Sequence, residues 1–99
     1  MATTNVPCNG DAGEIRVPKS ADTIKIGTSG NCTFNSFQFT PQDPAAGFSN
    51  KTWAGDMSWV SYDYDGSAIP ADGYAFEYVT TPKSDQGPRG TGSGTIKNN

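Results

Sequence analysis

Leucine and histidine are both missing from these 99 residues. Without an imidazole there is no Ser-His or Cys-His nucleophile, no His metal ligand and no His pH switch. Without leucine, Leu+Ile+Val+Phe comes to 14 residues, a level that by itself would suggest disorder. Basic residues are also few and scattered, at Arg16, Lys19, Lys25, Lys51, Lys83, Arg89 and Lys97. A chain of net charge −3 with no basic cluster is a poor nucleic-acid binder, so no nucleic-acid partner is expected. No apolar run reaches membrane-spanning length, so membrane insertion is not expected. No signal-peptide pattern is present, as in a mature form or an excised domain.

What remains is aromatic and hydroxylated. Two Trp, four Tyr and five Phe can fill a core that aliphatics do not, and the low net charge permits collapse. With 11 Thr, 9 Ser, 12 Gly and 7 Pro, helix is disfavoured and strands with tight turns are favoured. The length suits one domain over residues 1–99 with a thin core. The expected fold is all-β: a small antiparallel β-sandwich (Ig-like) or a small barrel, with six to seven short strands.

Residues 53–81 organise the rest, holding both tryptophans and all four tyrosines. They read as a hairpin: strands at 57–64 and 74–81 joined by an acidic Gly/Pro loop. In the first strand Met57, Trp59 and Ser61 face one way and Val60, Tyr62 and Tyr64 the other. Trp59 and Phe76 are the expected inward residues, leaving Tyr62 and Tyr64 exposed.

In chain order, residues 2–13 read as a polar arm. Ile15 with Val17, and Ile24 with Ile26, mark two short edge strands. Phe37 and Phe39 alternate in a stronger strand, where Phe34 falls off register and implies a bulge or a strand that starts later. Residues 41–49 and 82–89 read as loops, with Phe48 as a core plug. The closing G-T-G-S-G-T-I-K-N-N is a strand or a linker, and Ile96 favours the strand.

Cys8 and Cys32 predict one disulfide, closing a loop of about 25 residues and stabilising the fold by roughly 3–4 kcal/mol. Two free thiols are the alternative, and the spacing excludes a C-x2-C metal motif. The Gly/Asn/Ser/Thr-rich flanks point to a secreted or extracellular protein. Sequons at Asn31 and Asn50 permit glycosylation.

The segment D-G-Y-A-F-E-Y-V-T-T-P with the G-T-G-S-G-T-I-K-N tail resembles the end of bacterial Ig-like repeats such as Calx-β domains, over under a third of the chain. Residues 6–17 and 53–59 are similar to scattered positions in the carbohydrate-binding domain of expansins. Y-A-F-E-Y-V-T-T-P also resembles the last strands of isopeptide-forming pilin domains, but Glu77 sits on the wrong face for that chemistry. No family assignment follows.

Residues 61–72, S-Y-D-Y-D-G-S-A-I-P-A-D, carry a chemical pattern. Counted as a twelve-residue calcium loop they place Asp63, Asp65, Gly66 and Asp72 at positions 3, 5, 6 and 12. Ser at position 1 and strand-like flanks exclude a true EF-hand, leaving a carboxylate cage of Asp63, Asp65 and Asp72 or a plain solvated turn. Paired acids among Asp56, Asp63, Asp65, Asp72, Glu77 and Asp85 could in principle hydrolyse glycosides, but a domain this small rarely builds a deep cleft. No enzyme activity is expected. The first expectation is a carbohydrate-binding module, with Trp53, Tyr62 and Tyr64 as the platform and Asp63, Asp65 and Asn50 accepting hydroxyl hydrogen bonds. The alternative is a structural or adhesive surface domain that assembles with a protein partner. Exposed aromatics would favour the first; buried aromatics and a bare edge strand would favour the second.

Overall fold

Short alternating runs of Thr, Val, Ile and aromatic residues, cut by Gly and Pro, cannot sustain helix and instead pair as strands. A computed structural model describes residues 2–40, 45–83 and 89–99. Among them lie β1 (Ala2–Val6), β2 (Gly10–Val17), β3 (Thr23–Thr28), β4 (Cys32–Phe39), β5 (Phe48–Trp53), β6 (Trp59–Tyr64), β7 (Tyr74–Pro82) and β8 (Gly90–Asn98). The one helical feature among the described residues is a 3-10 turn at Gly66–Ala68. Two four-stranded sheets, ordered β1-β3-β6-β5 and β2-β8-β7-β4, pack face to face as a small β-sandwich. The pairs β1–β3 and β2–β8 are parallel and the other four antiparallel, so each sheet is mixed and not purely antiparallel as expected.

Among the described residues eight strands replace the expected six or seven, because residues 2–13 are not a polar arm. They form β1 and the start of β2, with a turn at Pro7–Asn9 carrying the chain between sheets. The expected hairpin of residues 57–64 and 74–81 is also corrected. β6 pairs with β3 and β5, β7 pairs with β4 and β8, and the acidic loop crosses from one sheet to the other. β3, expected at an edge, is internal. Residues 41–44 of the first predicted loop and 84–88 of the second lie outside the described residues.

The core is aromatic, as the missing leucine requires. Phe34, Phe37, Phe39, Phe48, Tyr62, Tyr64, Phe76 and Tyr78 are buried together with Ile15, Val17, Ile24, Ile26, Val60 and Ile96. Their rings meet at aromatic-pair distances: Phe39 and Phe48 have centroids 4.6 Å apart, and Phe37 stacks on Phe76 at 5.1 Å. Phe34 joins this core because the register between β4 and β7 shifts between Phe34 and Ser36, so of the two expected alternatives the bulge is found and the later strand start is not. Phe48 is buried at the start of β5, as a core plug should be.

The glycine-rich tail is an internal strand. Its glycines face the core where β7 directs its large side chains: Phe76 lies opposite Gly94, Tyr78 opposite Gly92 and Thr80 opposite Gly90. A Cβ on Gly92 would stand 2.2 Å from the Tyr78 ring, and one on Gly94 2.8 Å from that of Phe76. The β7 side chains therefore cross over β8. Beyond it, Tyr78 Oη donates to the Pro7 carbonyl at 2.8 Å and Thr80 Oγ1 to that of Cys8 at 2.6 Å. These bonds fasten the β1–β2 turn to the sandwich. The Cys8–Cys32 disulfide, with its Cα atoms 6.1 Å apart, ties the same turn to the start of β4.

Candidate functional site

The phase of β6 decides where the expected platform lies. Ile24 and Ile26 of β3 sit opposite Tyr62 and Val60, so those four side chains share the buried face. The other face of β6 carries Trp59, Ser61 and Asp63, and turning it inward would bury a carboxylate without compensation. Trp59 is accordingly half-exposed, with the Lys25 ammonium 4.5 Å from its ring centroid.

Tyr62 and Tyr64, expected to be exposed, are therefore core residues at 1% and 5% exposure. Tyr62 packs against Phe39 and Phe48, each with its ring centroid 5.6 Å away. The Tyr64 hydroxyl donates to Asn98 Oδ1, and Asn98 Nδ2 donates to the Gly66 carbonyl at 2.7 Å. Burial pushes the Tyr64 phenol above its ordinary range. Trp53 is half-buried against Phe34 at 5.9 Å, with Lys51 Nζ 5.2 Å from its ring. The three aromatics do not form an exposed row.

The carboxylates are dispersed as well. Asp63 accepts from Asn50 Nδ2 at 2.5 Å on the outer face of the sheet. Asp65 caps the 3-10 turn, with Oδ1 accepting from Ser67 N at 3.1 Å and Ser67 Oγ at 2.6 Å. The bond from the Ser67 hydroxyl holds the Asp65 carboxyl below its usual range. Asp72 is exposed in the turn before Gly73. The expected cage of Asp63, Asp65 and Asp72 is not assembled: among the described residues no three acidic or cysteine side chains gather to hold a metal. Local hydrogen bonds occupy Asp63 and Asp65 in its place. Asp85 lies outside the described residues.

The sheet edges distinguish this surface more clearly. An edge strand exposes unpaired N–H and C=O groups, and proteins blunt it with bulges, charge or proline. β2 carries a bulge between Asp11 and Gly13, closed by Gly13 N donating to Asp11 Oδ1 at 2.8 Å, and displays Glu14 and Arg16. Lys97 also pairs with Glu14 and holds its carboxyl low. β5 bulges between Ser49 and Thr52, where Asn50 adopts φ 52°. β4 has its own bulge, and Lys51 of β5 reaches across to donate to the Phe37 carbonyl at 2.6 Å. Both strands on that side are thereby bulged, and the Lys51 side chain bridges them.

β1 has none of these devices. Its register with β3 runs unbroken from Ala2↔Ile24 to Val6↔Thr28, and Ala-Thr-Thr-Asn-Val holds no charge, Gly or Pro. Ala2, Thr4 and Val6 turn toward the interior while Thr3 and Asn5 are exposed. With three polar residues among its five, Ala-Thr-Thr-Asn-Val resembles a tail in sequence. The signal was the alternation of Ala2, Thr4 and Val6 with Thr3 and Asn5.

No protein-family model matches this chain, and no curated protein matches its sequence. The fold defines a disulfide-bonded β-sandwich domain in which, among the described residues, the edge strand β1 pairs only with β3.

Proposed function

We propose that this chain is a non-catalytic structural or adhesive domain that assembles with other protein chains through the β1 edge. The observation that carries this reading is the contrast among edges: three are bulged, charged or bridged, and β1 is regular and uncharged. Addition of a strand to such an edge gives affinity through main-chain bonds that the open strand already offers. The burial of Tyr62 and Tyr64 supports assembly over an aromatic sugar platform. The disulfide and the small all-β fold fit an extracellular setting. Among the described residues no helix is long and apolar enough to cross a membrane.

The test is amide hydrogen exchange at Thr3 and Asn5 with and without short alternating Thr/Val peptides at millimolar concentration. Selective slowing at those two amides is the expected result. Unchanged exchange with every peptide, and at every protein concentration, would overturn the reading.

One observation favours a second reading, carbohydrate binding on the outer face of the β1-β3-β6-β5 sheet. Trp59 is half-exposed there, with Ser61, Asp63 and Asn50 on the same face. A glycan array followed by tryptophan-fluorescence titration of wild type and Trp59→Ala tests it, and a wild-type signal that survives the substitution would remove it.

A further inference from the structure

Resting on the reading of β1 as the working edge, the geometry also identifies the strand that fits it. Ser29 N donates to the Val6 carbonyl at 2.9 Å, so the Val6 main chain is turned toward β3. Backbone direction alternates along a strand, so Thr4 and Ala2 bond inward with Val6, and Thr3 and Asn5 direct their N–H and C=O groups outward. The open edge therefore offers two donors and two acceptors, flanking Thr4 on either side.

That arrangement is self-complementary. We propose that β1 pairs antiparallel with β1 of a second copy of this chain, about a two-fold axis through Thr4. In that register Thr3 of one copy faces Asn5 of the other, and each such pair exchanges two main-chain bonds, four in all. Thr4 meets its own symmetry mate as a non-hydrogen-bonded pair, where side chains approach most closely and Thr–Thr contacts are favourable. Ala2 lies across from Val6 on the inner face, continuing the apolar layer, and the exposed Thr3 and Asn5 side chains stay together on the outer face. No like charges oppose each other, because β1 carries none. Two four-stranded sheets would become one of eight strands. Closed two-fold pairing of this kind also ends the edge, where a head-to-tail contact would propagate.

The other edges fit this role less well. Self-pairing of β2 would bring its Asp11–Gly13 bulge and its Glu14 and Arg16 side chains into the joint. Self-pairing of β4 or β5 would displace Lys51 from the Phe37 carbonyl.

A five-residue contact is small, so the association is a concentration-dependent one, to be read by sedimentation equilibrium on the full chain with amide exchange in parallel. The expected result is a rise in weight-average mass toward two chains, with slowing at Thr3 and Asn5 over the same concentrations. Thr3→Pro removes one outward N–H per copy and leaves the β3 ladder intact. The loss of two bonds should shift the association curve roughly tenfold or more to higher concentration. Thr4→Lys places like charges at the axis and should also weaken self-association. Mixing Thr4→Lys with Thr4→Glu should restore a mixed dimer, which neither variant could form if it were misfolded. A chain that stays monomeric at all concentrations while peptides slow Thr3 and Asn5 overturns the self-pairing and leaves the edge reading standing. A dimer that survives Thr3→Pro, with the wild-type Thr3 and Asn5 amides unprotected at every concentration, overturns the self-pairing, and if no peptide slows those amides either, the edge reading falls with it. A Thr4→Lys variant that self-associates like wild type overturns the Thr4-centred register.

Discussion

Tyr78 lies across Gly92 so closely that a Cβ on the glycine would stand 2.2 Å from the ring. The ring cannot swing clear, since its hydroxyl is bonded to the Pro7 carbonyl and its face stacks near Phe76. Gly92→Ala should therefore act as overpacking and cost about 1–3 kcal/mol or more. Thr91→Ala and Ser93→Ala, on the outer face of the same strand, should stay within about 0.5 kcal/mol of wild type. Urea unfolding of the three variants checks this. A Gly92→Ala midpoint equal to wild type would show that the β7 rings do not depend on the gap.

The same glycines show how far the sequence was readable. The all-β sandwich, the disulfide, the Phe34 bulge and the buried Phe48 follow from local features: composition, two cysteines and period-two alternation. Pairing partners do not. The hairpin reading of residues 57–64 and 74–81 failed because adjacent alternating strands can pair with each other or cross between sheets, and only long-range packing decides. The phase of β6 was within reach. Val60, Tyr62 and Tyr64 form an unbroken apolar face, whereas Trp59 shares its face with Ser61 and Asp63. Favouring the largest ring over the more uniform face put the wrong side inward.

That exchange of faces gives a direct contrast. Tyr62→Ala removes a fully buried ring and should cost roughly 3–5 kcal/mol, the range for large-to-small changes in a core. Trp59→Ala removes a half-exposed ring and its contact with Lys25, and about 1 kcal/mol is expected. Thermal and denaturant midpoints of both variants would settle the order. The reverse ranking would mean that Trp59, not Tyr62, belongs to the core.

Alkaline pH should weaken the fold through the buried tyrosines. Burial pushes the phenols of Tyr64 and Tyr78 up, and the charge of Asp11 adds to the shift at Tyr78. A group whose folded value lies above its unfolded one stabilises fully below the unfolded value, about 10 for tyrosine. That stabilisation is lost as pH rises from there through the folded value. Melting temperature should hold steady up to about pH 9 and then decline. Tyr78→Phe should show a shallower decline from a lower starting point, having lost the bond to Pro7. Parallel slopes in wild type, Tyr78→Phe and Tyr64→Phe would exclude the tyrosines as the cause.

The acidic loop separates a turn from a metal site. Asp65 caps the 3-10 turn through two bonds to Ser67, and Asp63 is held by Asn50. If these local bonds are the whole role of the carboxylates, Asp65→Ala should lower the melting temperature modestly, through loss of the cap. Asp65→Asn, which keeps an acceptor oxygen, should lower it less. Neither change should depend on calcium, and wild type should melt at the same temperature in millimolar calcium and in chelator. Acid should bring the wild-type value toward that of Asp65→Ala. The folded carboxyl titrates below its unfolded value, so the cap's contribution is present above the unfolded value and is lost as pH falls through the folded one. A calcium-dependent rise in melting temperature that disappears in Asp65→Asn would instead show that the loop closes around a cation when one is supplied.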